Sequence, residues 1–320
     1  MLDLVGAALL GEAPSLTRDQ VTEAAGVPVV VADELWRLLG FPRADDDEAA
    51  FGPADVEALR HTKVLWQLGV LSPDRQAALV RTWGRSFARL AEWQTALLAE
   101  VTMERAALSG DPASELATLS AEVLPSVEAL QSYVWRRHLL GAASRLLTTP
   151  EAGSTTMAVC FVDIVGYTAR SRSLSEAELV GWVEEFEAEC TGLVVDHGGR
   201  VIKTLGDAVL FVCDDPVAAA EVALTVTERG AAAEDSFPEV RAGLAYGEIV
   251  TRLGDVFGPT VNIASRLTTV ARPGSVVVDD GAAEVLAGGY SLARLRRTSV
   301  KGYARLRPWA LRRVQHASGS

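Results

Sequence analysis

Around residues 148–156, in the polar run TTPEAGSTT, the hydrophobic pattern of the chain changes from one period to another. Before this run, apolar residues recur at helical spacing. After it, short apolar runs alternate with amphipathic stretches. The reading is an all-helical domain over 1–148, a linker over 149–156 and a mixed domain over 157–320, and 320 residues suit two domains at roughly 100–200 residues each.

In the first half, SLTRDQVTEAAGVPVVVADELWRLLGFP reads as helix, turn, helix about Gly26–Pro28. An acidic loop, ADDDEAA, precedes a helix start near Pro53. From Ala54 to Leu108 the pattern is helical, with a break between Gly69 and Pro73. Leu79, Trp83, Phe87, Leu90 and Leu97 recur at steps of three, four or seven, with Leu98 beside the last, and form one apolar stripe. Such a stripe suits a helix core, a dimer interface or an apolar effector pocket. SGDP at 109–112 is a stop, and a further helix runs from about Ala113 to Leu147, with an interruption expected at Pro125.

The second half opens with a buried strand, MAVCFVD (157–163). A helix follows, capped by Ser175 with Glu178 three residues on. RVIKT and AVLFVC are strands about a tight turn at Leu205–Asp207. A helix starting at Pro216, the strand VRAGLAYGEIV, a helix starting at Pro259, and later strands SVVVDD, GYSLARL and PWALRRV with a short helix GAAEVLA complete it. Strand–helix–strand–strand–helix–strand is the ferredoxin-like order, so the fold class is α+β, with a ferredoxin-like (βαββαβ) domain after an all-α one.

Composition narrows the function. Forty-nine per cent hydrophobic and 22% charged residues exclude general disorder. The net charge is −12 and both halves are acidic, which speaks against a nucleic-acid binder. No run reaches the roughly 18 apolar residues of a membrane span, and the N-terminus has no basic leader. Cys160, Cys190 and Cys213 form no motif. The expectation is a reduced, cytoplasmic protein. Of the 30 bases only Lys63, Lys203 and Lys301 are lysine, so a lysine here marks a place that wants a compact ammonium.

Asp163 ends an apolar strand and Asp207 sits in a hairpin turn. Converging carboxylates of this kind hold hard cations such as Mg²⁺ or Mn²⁺ and support attack on phosphorus; singly, each also fits an ordinary turn aspartate. Asn262 and Arg266 lie four apart on a helix, which suits an anionic transition state or a solvated polar pair. Lys203 lies on a strand and fits an edge charge or a functional donor, while Asp255 and Lys301 are by themselves loop residues. His138 follows Arg136–Arg137 on an amphipathic helix. The chain has no phosphate-binding glycine loop, no nucleophile elbow and no HExxH.

Together, FVDIVGYT, IKTLGDAVLF and GDVFGPTVNIASRL, in that order, resemble the class III nucleotide cyclases, in particular the bacterial adenylyl cyclases with a helical N-terminal regulatory domain. The resemblance covers about 155–315. It implies a cyclase catalytic domain that pairs head to tail with a second copy, two divalent cations as cofactors, and ATP as substrate. By it, Asp163 and Asp207 match the metal-binding aspartates and Ile164 the residue offering a backbone carbonyl to one metal. Lys203 and Asp255 match the pair that recognises adenine, Asn262 and Arg266 the transition-state pair, and Lys301 a lysine reaching the triphosphate. Each chain would give its aspartates to one site and the other four residues to the second. Phe257–Gly258 stands where the family often has Trp-Gly, and the segment between Gly247 and Phe257 is short, which bears on the dimer arm.

The alternatives are a guanylyl cyclase, against which the Lys203/Asp255 pair speaks, a catalytically silent nucleotide-binding module, against which the intact set speaks, and a DNA-binding regulator, against which the charge speaks. A diguanylate cyclase needs a GGDEF-type turn where this chain reads TLGDA. The N-terminal half is expected to gate the site in response to a small molecule, a lipid, a proton or a partner protein.

Overall fold

The computed structural model describes residues 6, 9–70, 73–109, 112–148, 154–232, 237–296, 298–300 and 303–314. The chain divides into two compact units, Met1–Pro150 and Glu151–Ser320.

The first unit is helical: α1 (Arg18–Ala25), α2 (Val29–Leu39), α3 (Pro53–Gln67), α4 (Pro73–Ser109) and α5 (Pro112–Thr148). Thr17 and Gln20 form a capping box at the start of α1, and Gly26, at φ +63°, ends it. Arg60 and Lys63 of α3 donate to the carbonyls of Ala24 (2.9 Å) and Gly26 (3.0 Å), placing cations on the negative end of α1. Lys63, one of the three lysines, thus has a structural use. Val21, Leu35, Trp36, Leu59 and Val80 form the core.

Gly84 lets α4 approach α2: a Cβ there would lie 2.3 Å from the Leu39 carbonyl oxygen. The bonds Gln131–Gln94 (3.4 Å) and Arg105–Glu122 (3.4 Å) make α4 and α5 an antiparallel hairpin. The interruption expected at Pro125 is not there. α5 runs through the proline, at the cost of one backbone bond, and Leu119 and Ser120, buried one turn earlier, anchor it. The apolar stripe of α4 is not a core: Leu79, Leu90 and Leu98 are half-buried, but Trp83, Phe87 and Leu97 are exposed.

The second unit comprises β1 (Ser154–Ile164), α6 (Tyr167–Arg170), α7 (Glu176–Asp196), β2 (Arg200–Thr204), β3 (Ala208–Cys213), α8 (Pro216–Gly230), β4 (Val240–Arg252) and β5 (Asp255–Phe257). It continues with α9 (Pro259–Val270), β6 (Val276–Val278), α10 (Asp280–Leu286), β7 (Tyr290–Arg294), β8 (Thr298–Val300), β9 (Tyr303–Leu306) and β10 (Trp309–Arg313). The main sheet runs β2-β3-β1-β4-β6-β10-β7, with β5 on β4. Its first four strands stand in the ferredoxin-like order, and β4 and β6 are parallel.

Strand alternation sorts β1 between two cores. Ala158, Cys160, Val162 and Ile164 face the core that holds Phe186 of α7 and Val226 of α8, while Met157 and Val159 face the core that holds Ala264 and Leu267 of α9. Asp163 follows the second set and so belongs to the α9 face.

β1 opens at Ser154, so Ser154–Thr156, read as linker, are strand; they pair with Glu248–Val250 because β4 is long enough to extend the ladder. The short elements α6, β5, β8 and β9 were not foreseen, since three or four residues carry no measurable period. All three cysteines are buried.

Candidate active site

Asp163 stands one residue from the end of β1, opposite Ala208 of β3 and Arg241 of β4. The Ile164 amide donates to the Asp207 carbonyl (2.8 Å), which fastens the β2–β3 turn to the end of β1. Gly206, at φ +78°, supplies the left-handed residue this turn needs. The Ile164 side chain is buried in the core, so only its backbone is offered to the site. Asp163 and Asp207 line one cavity of about 280 Å³ with Arg241 and with Ser265, Thr268 and Thr269 of α9.

Arg241 donates Nε (2.8 Å) and Nη2 (2.7 Å) to Oδ2 of Asp163. Even so the Asp163 carboxyl is held above its ordinary value, first by burial and then by the charge of Asp207, with Arg241 opposing both. A carboxylate whose ionisation is disfavoured by burial and by a neighbouring carboxylate forms, with that neighbour, a place where a divalent cation fits, through hard oxygen donors. Arg241 was missed from sequence. Its signal was present: a lone charge in the apolar run VRAGLAY, on a strand covered on both faces.

Lys203 donates to both carboxylate oxygens of Asp255, at 2.9 and 2.6 Å. A register shift in β2 between Val201 and Lys203 aims the lysine toward β5, where Asp255 is the first residue. Asn262 and Arg266 are both exposed on α9. This helix starts at Pro259 and is seated closely on the sheet: the Thr260 hydroxyl donates to the Glu248 carbonyl (2.7 Å), and a Cβ on Gly243 would lie 2.2 Å from the Thr268 nitrogen.

The structure therefore gathers the candidates into three groups: Asp163 with Asp207, Lys203 with Asp255, and Asn262 with Arg266. None of the last four residues lines the cavity of the first two. His138 lies on α5, in the first unit. Lys301 lies outside the described residues.

A ferredoxin-like sheet with paired carboxylates at one strand end, preceded by a helical unit, is the plan of an enzyme with a separate regulatory domain. Residues 150–313 match the family model of the adenylate and guanylate cyclase catalytic domain, and residues 1–140 match that of the adenylate cyclase regulatory domain. An adenylate cyclase of Glutamicibacter nicotianae is 35% identical over 95% of this chain and 80% of its own length. An adenylate cyclase of Streptomyces coelicolor is 41% identical over 87% of this chain and 73% of its own. A pH-sensitive adenylate cyclase of Mycobacterium tuberculosis is 32% identical over 83% of this chain and 69% of its own.

The chain belongs to the class III adenylate and guanylate cyclase family, with an adenylate cyclase regulatory domain ahead of the catalytic one. Among the described residues no helix is long and apolar enough to cross a membrane.

Proposed function

We propose that the chain is an adenylate cyclase that converts ATP to 3′,5′-cyclic AMP and pyrophosphate in a site shared by two copies. The observation that carries this reading is the separation just described: one chain's carboxylate cavity is lined by neither the Lys203/Asp255 pair nor Asn262 and Arg266. A second copy meeting the first head to tail supplies what each cavity lacks.

In the reaction the ribose 3′-oxygen forms a bond to the α-phosphorus, the bond to the bridging oxygen of pyrophosphate breaks, and the 3′-hydroxyl proton is released. Asp163, Asp207 and the Ile164 carbonyl would hold two divalent cations. Bound there, Mg²⁺ or Mn²⁺ supplies positive charge that acidifies the 3′-hydroxyl and offsets charge on the departing pyrophosphate. Arg241, released from Asp163, then faces the polyphosphate.

Arg266 offsets charge that develops on the α-phosphoryl group, and Asn262 orients the ribose. Lys203 donates to adenine N1 and Asp255 accepts from the 6-amino group. Guanine presents the reverse pattern at those two atoms, which leaves buried groups unpaired. Lys301 is assigned to the triphosphate on the family resemblance.

The test is an equimolar mixture of Asp163→Ala and Arg266→Ala chains, assayed for cyclic AMP with ATP and Mn²⁺. Each variant alone is expected to be nearly silent. The mixture should regain about a quarter of wild-type activity, because half of its dimers carry one intact site of two. A mixture as silent as its parts would refute the shared site.

The N-terminal domain gates this site by setting how the two catalytic domains meet, in response to a small molecule, a lipid or a proton. Support comes from the matched regulatory domain and from the short separation in sequence, five residues, between the end of α5 and the start of β1. Inserting ten Gly/Ser residues there is expected to change kcat several-fold at an unchanged melting temperature. An unchanged kcat would count against gating.

A further inference from the structure

Asn262 and Arg266 ride on α9, so the seat of that helix decides how far they reach. One helix face forms the seat: Thr260, Ala264 and Thr268, four residues apart and all buried. It packs against Gly243, Ala245 and Gly247, which alternate onto one side of β4. A Cβ on Gly247 would stand 2.9 Å from the Thr260 hydroxyl, and one on Gly243 would stand 2.5 Å from the Thr268 hydroxyl. The two spacings agree, since eight helical residues rise about 12 Å and four strand residues about 13 Å. Asn262 and Arg266 are exposed on the opposite side of the helix.

The Thr260 hydroxyl is used in an unusual way. Thr22, Thr62, Thr82, Thr102 and Thr227 each donate to a carbonyl of their own helix. Thr260 is the second residue of α9 and has no earlier turn to bond. Its hydroxyl crosses to the strand and donates to the Glu248 carbonyl at 2.7 Å. The helix has no side-chain cap, with Gly258 in the cap position and Pro259 next. At the far end Thr268 donates mainly to Ala264 of its own helix (2.9 Å) and reaches the Phe161 carbonyl of β1 only at 3.4 Å. The bond from Thr260 is therefore the firm tether, and it lies two residues from Asn262.

We infer that Thr260 is a positioning residue for the reaction: its hydroxyl fixes the first turn of α9 on β4 and so holds Asn262 and Arg266 at the reach that the partner copy's carboxylate cavity needs. The inference rests on the shared adenylate cyclase site proposed above. Groups that act on the transition state are sensitive to seating, because a displacement of about 1 Å costs on the order of 10² in rate.

The test uses the full chain with ATP and Mn²⁺. Thr260→Val keeps the branched shape and removes the hydroxyl, while Thr260→Ser keeps the hydroxyl. For Thr260→Val, kcat is expected to fall by roughly tenfold or more. Its KM for ATP should stay within about twofold of wild type, because the substrate is held by Lys203, Asp255 and the cations. The melting temperature should drop by no more than a few degrees, as for one lost hydrogen bond. Thr260→Ser should recover kcat to within about threefold. A valine variant that melts lower but keeps its kcat, or that no longer melts cooperatively, would make the bond structural only and overturn the inference.

Mixed chains show which site Thr260 serves. Because α9 is given to the partner's cavity, Thr260→Val mixed with Asp163→Ala should reach about a quarter of wild-type activity, and mixed with Arg266→Ala it should stay near about a twentieth. The reverse order would tie Thr260 to its own chain's cavity and also overturn the inference. A silent mixture of Asp163→Ala and Arg266→Ala would instead refute the shared site, a result separate from the kcat, KM and serine rescue that test Thr260.

Discussion

The two units leave different things unfinished. In the catalytic unit the core consumes most of the large apolar side chains: Phe186, Phe211, Leu244 and Leu267 are fully buried between sheet and helices, while Leu205, Leu253 and Phe257 stay exposed. It also leaves charge at the surface in pairs, Arg241 on Asp163 and Lys203 on Asp255. In the helical unit Trp83, Phe87 and Leu97 of α4 are exposed. A pair of partly exposed charges can exchange its partner for a small polar ligand, whereas an exposed apolar row has no partner to exchange.

The sharpest break in this comparison comes from Asp207. Among the described residues its side chain has no hydrogen-bond partner, and the turn is fastened through its backbone carbonyl. Asp207→Ala should therefore cost on the order of 10³ in kcat/KM for ATP, the several kcal/mol of a lost cation ligand, while stability changes by less than about 0.5 kcal/mol. Cyclic AMP assay and thermal unfolding together check this. A large loss of stability would make Asp207 a structural turn residue.

One substitution can be made in both units. Gly243→Ala pushes a methyl group into the backbone of α9, and Gly84→Ala pushes one onto the carbonyl of Leu39. Overpacking of this kind costs about 1–3 kcal/mol, and the alanine in α4 recovers about 1 kcal/mol of helix propensity that the strand position lacks. Calorimetry should thus show a loss of about 3 kcal/mol for Gly243→Ala and about 2 kcal/mol for Gly84→Ala. If Gly84→Ala stabilises the protein, α4 is not seated on α2 as described.

Nucleotide choice tests the provisional pairs directly. On the proposed adenine assignment, Lys203→Ala removes one base-reading donor and leaves Asp255 without its cation, though still accepting from the Val256 amide. The kcat/KM ratio of ATP to GTP should fall roughly 10- to 100-fold, in line with 1–3 kcal/mol for an unmet buried group. Melting should barely move, because the pair is half exposed and worth little to the fold. A GTP preference in the wild-type chain would overturn the assignment of adenine.

These predictions rest on residues of unequal legibility. Asp163, Asp207 and Lys203 were readable because each sits beside a glycine or an apolar strand, where sequence fixes position within a residue or two. The capping box at Ser175 and the prolines at 216 and 259 fixed three helix starts for the same local reason. Arg241 was not read, because its meaning depends on strand register: β4 must pair with β1 so that position 241 meets 163, and no local pattern states that. The α4 stripe was read as a stripe, but whether it faces inward is decided by how α2 and α5 fold back against it, which no local pattern in α4 states.

The smallest expected effect concerns a network at the β7 edge of the catalytic unit's sheet. Tyr290 donates to Glu221 (2.5 Å), and Arg313 pairs with Glu221 and also with Glu228, tying β7 and β10 to α8. Burial works against ionisation of Glu221, but the tyrosine hydroxyl and the arginine together outweigh it and hold the carboxyl below its ordinary value. A carboxyl lowered by folding contributes stability above its unfolded pKa and loses that contribution as pH falls through its folded one. Glu221→Gln should therefore destabilise the protein near neutrality by about 0.5–1 kcal/mol, since the partners are partly exposed and screened. The difference from wild type should shrink as the pH is lowered into the acid range. Chemical denaturation at a series of pH values measures this. A difference that stays constant with pH would mean that Glu221 acts by shape and hydrogen bonding and not through its charge, and the sheet edge would then owe nothing to electrostatics, unlike the site at its other end.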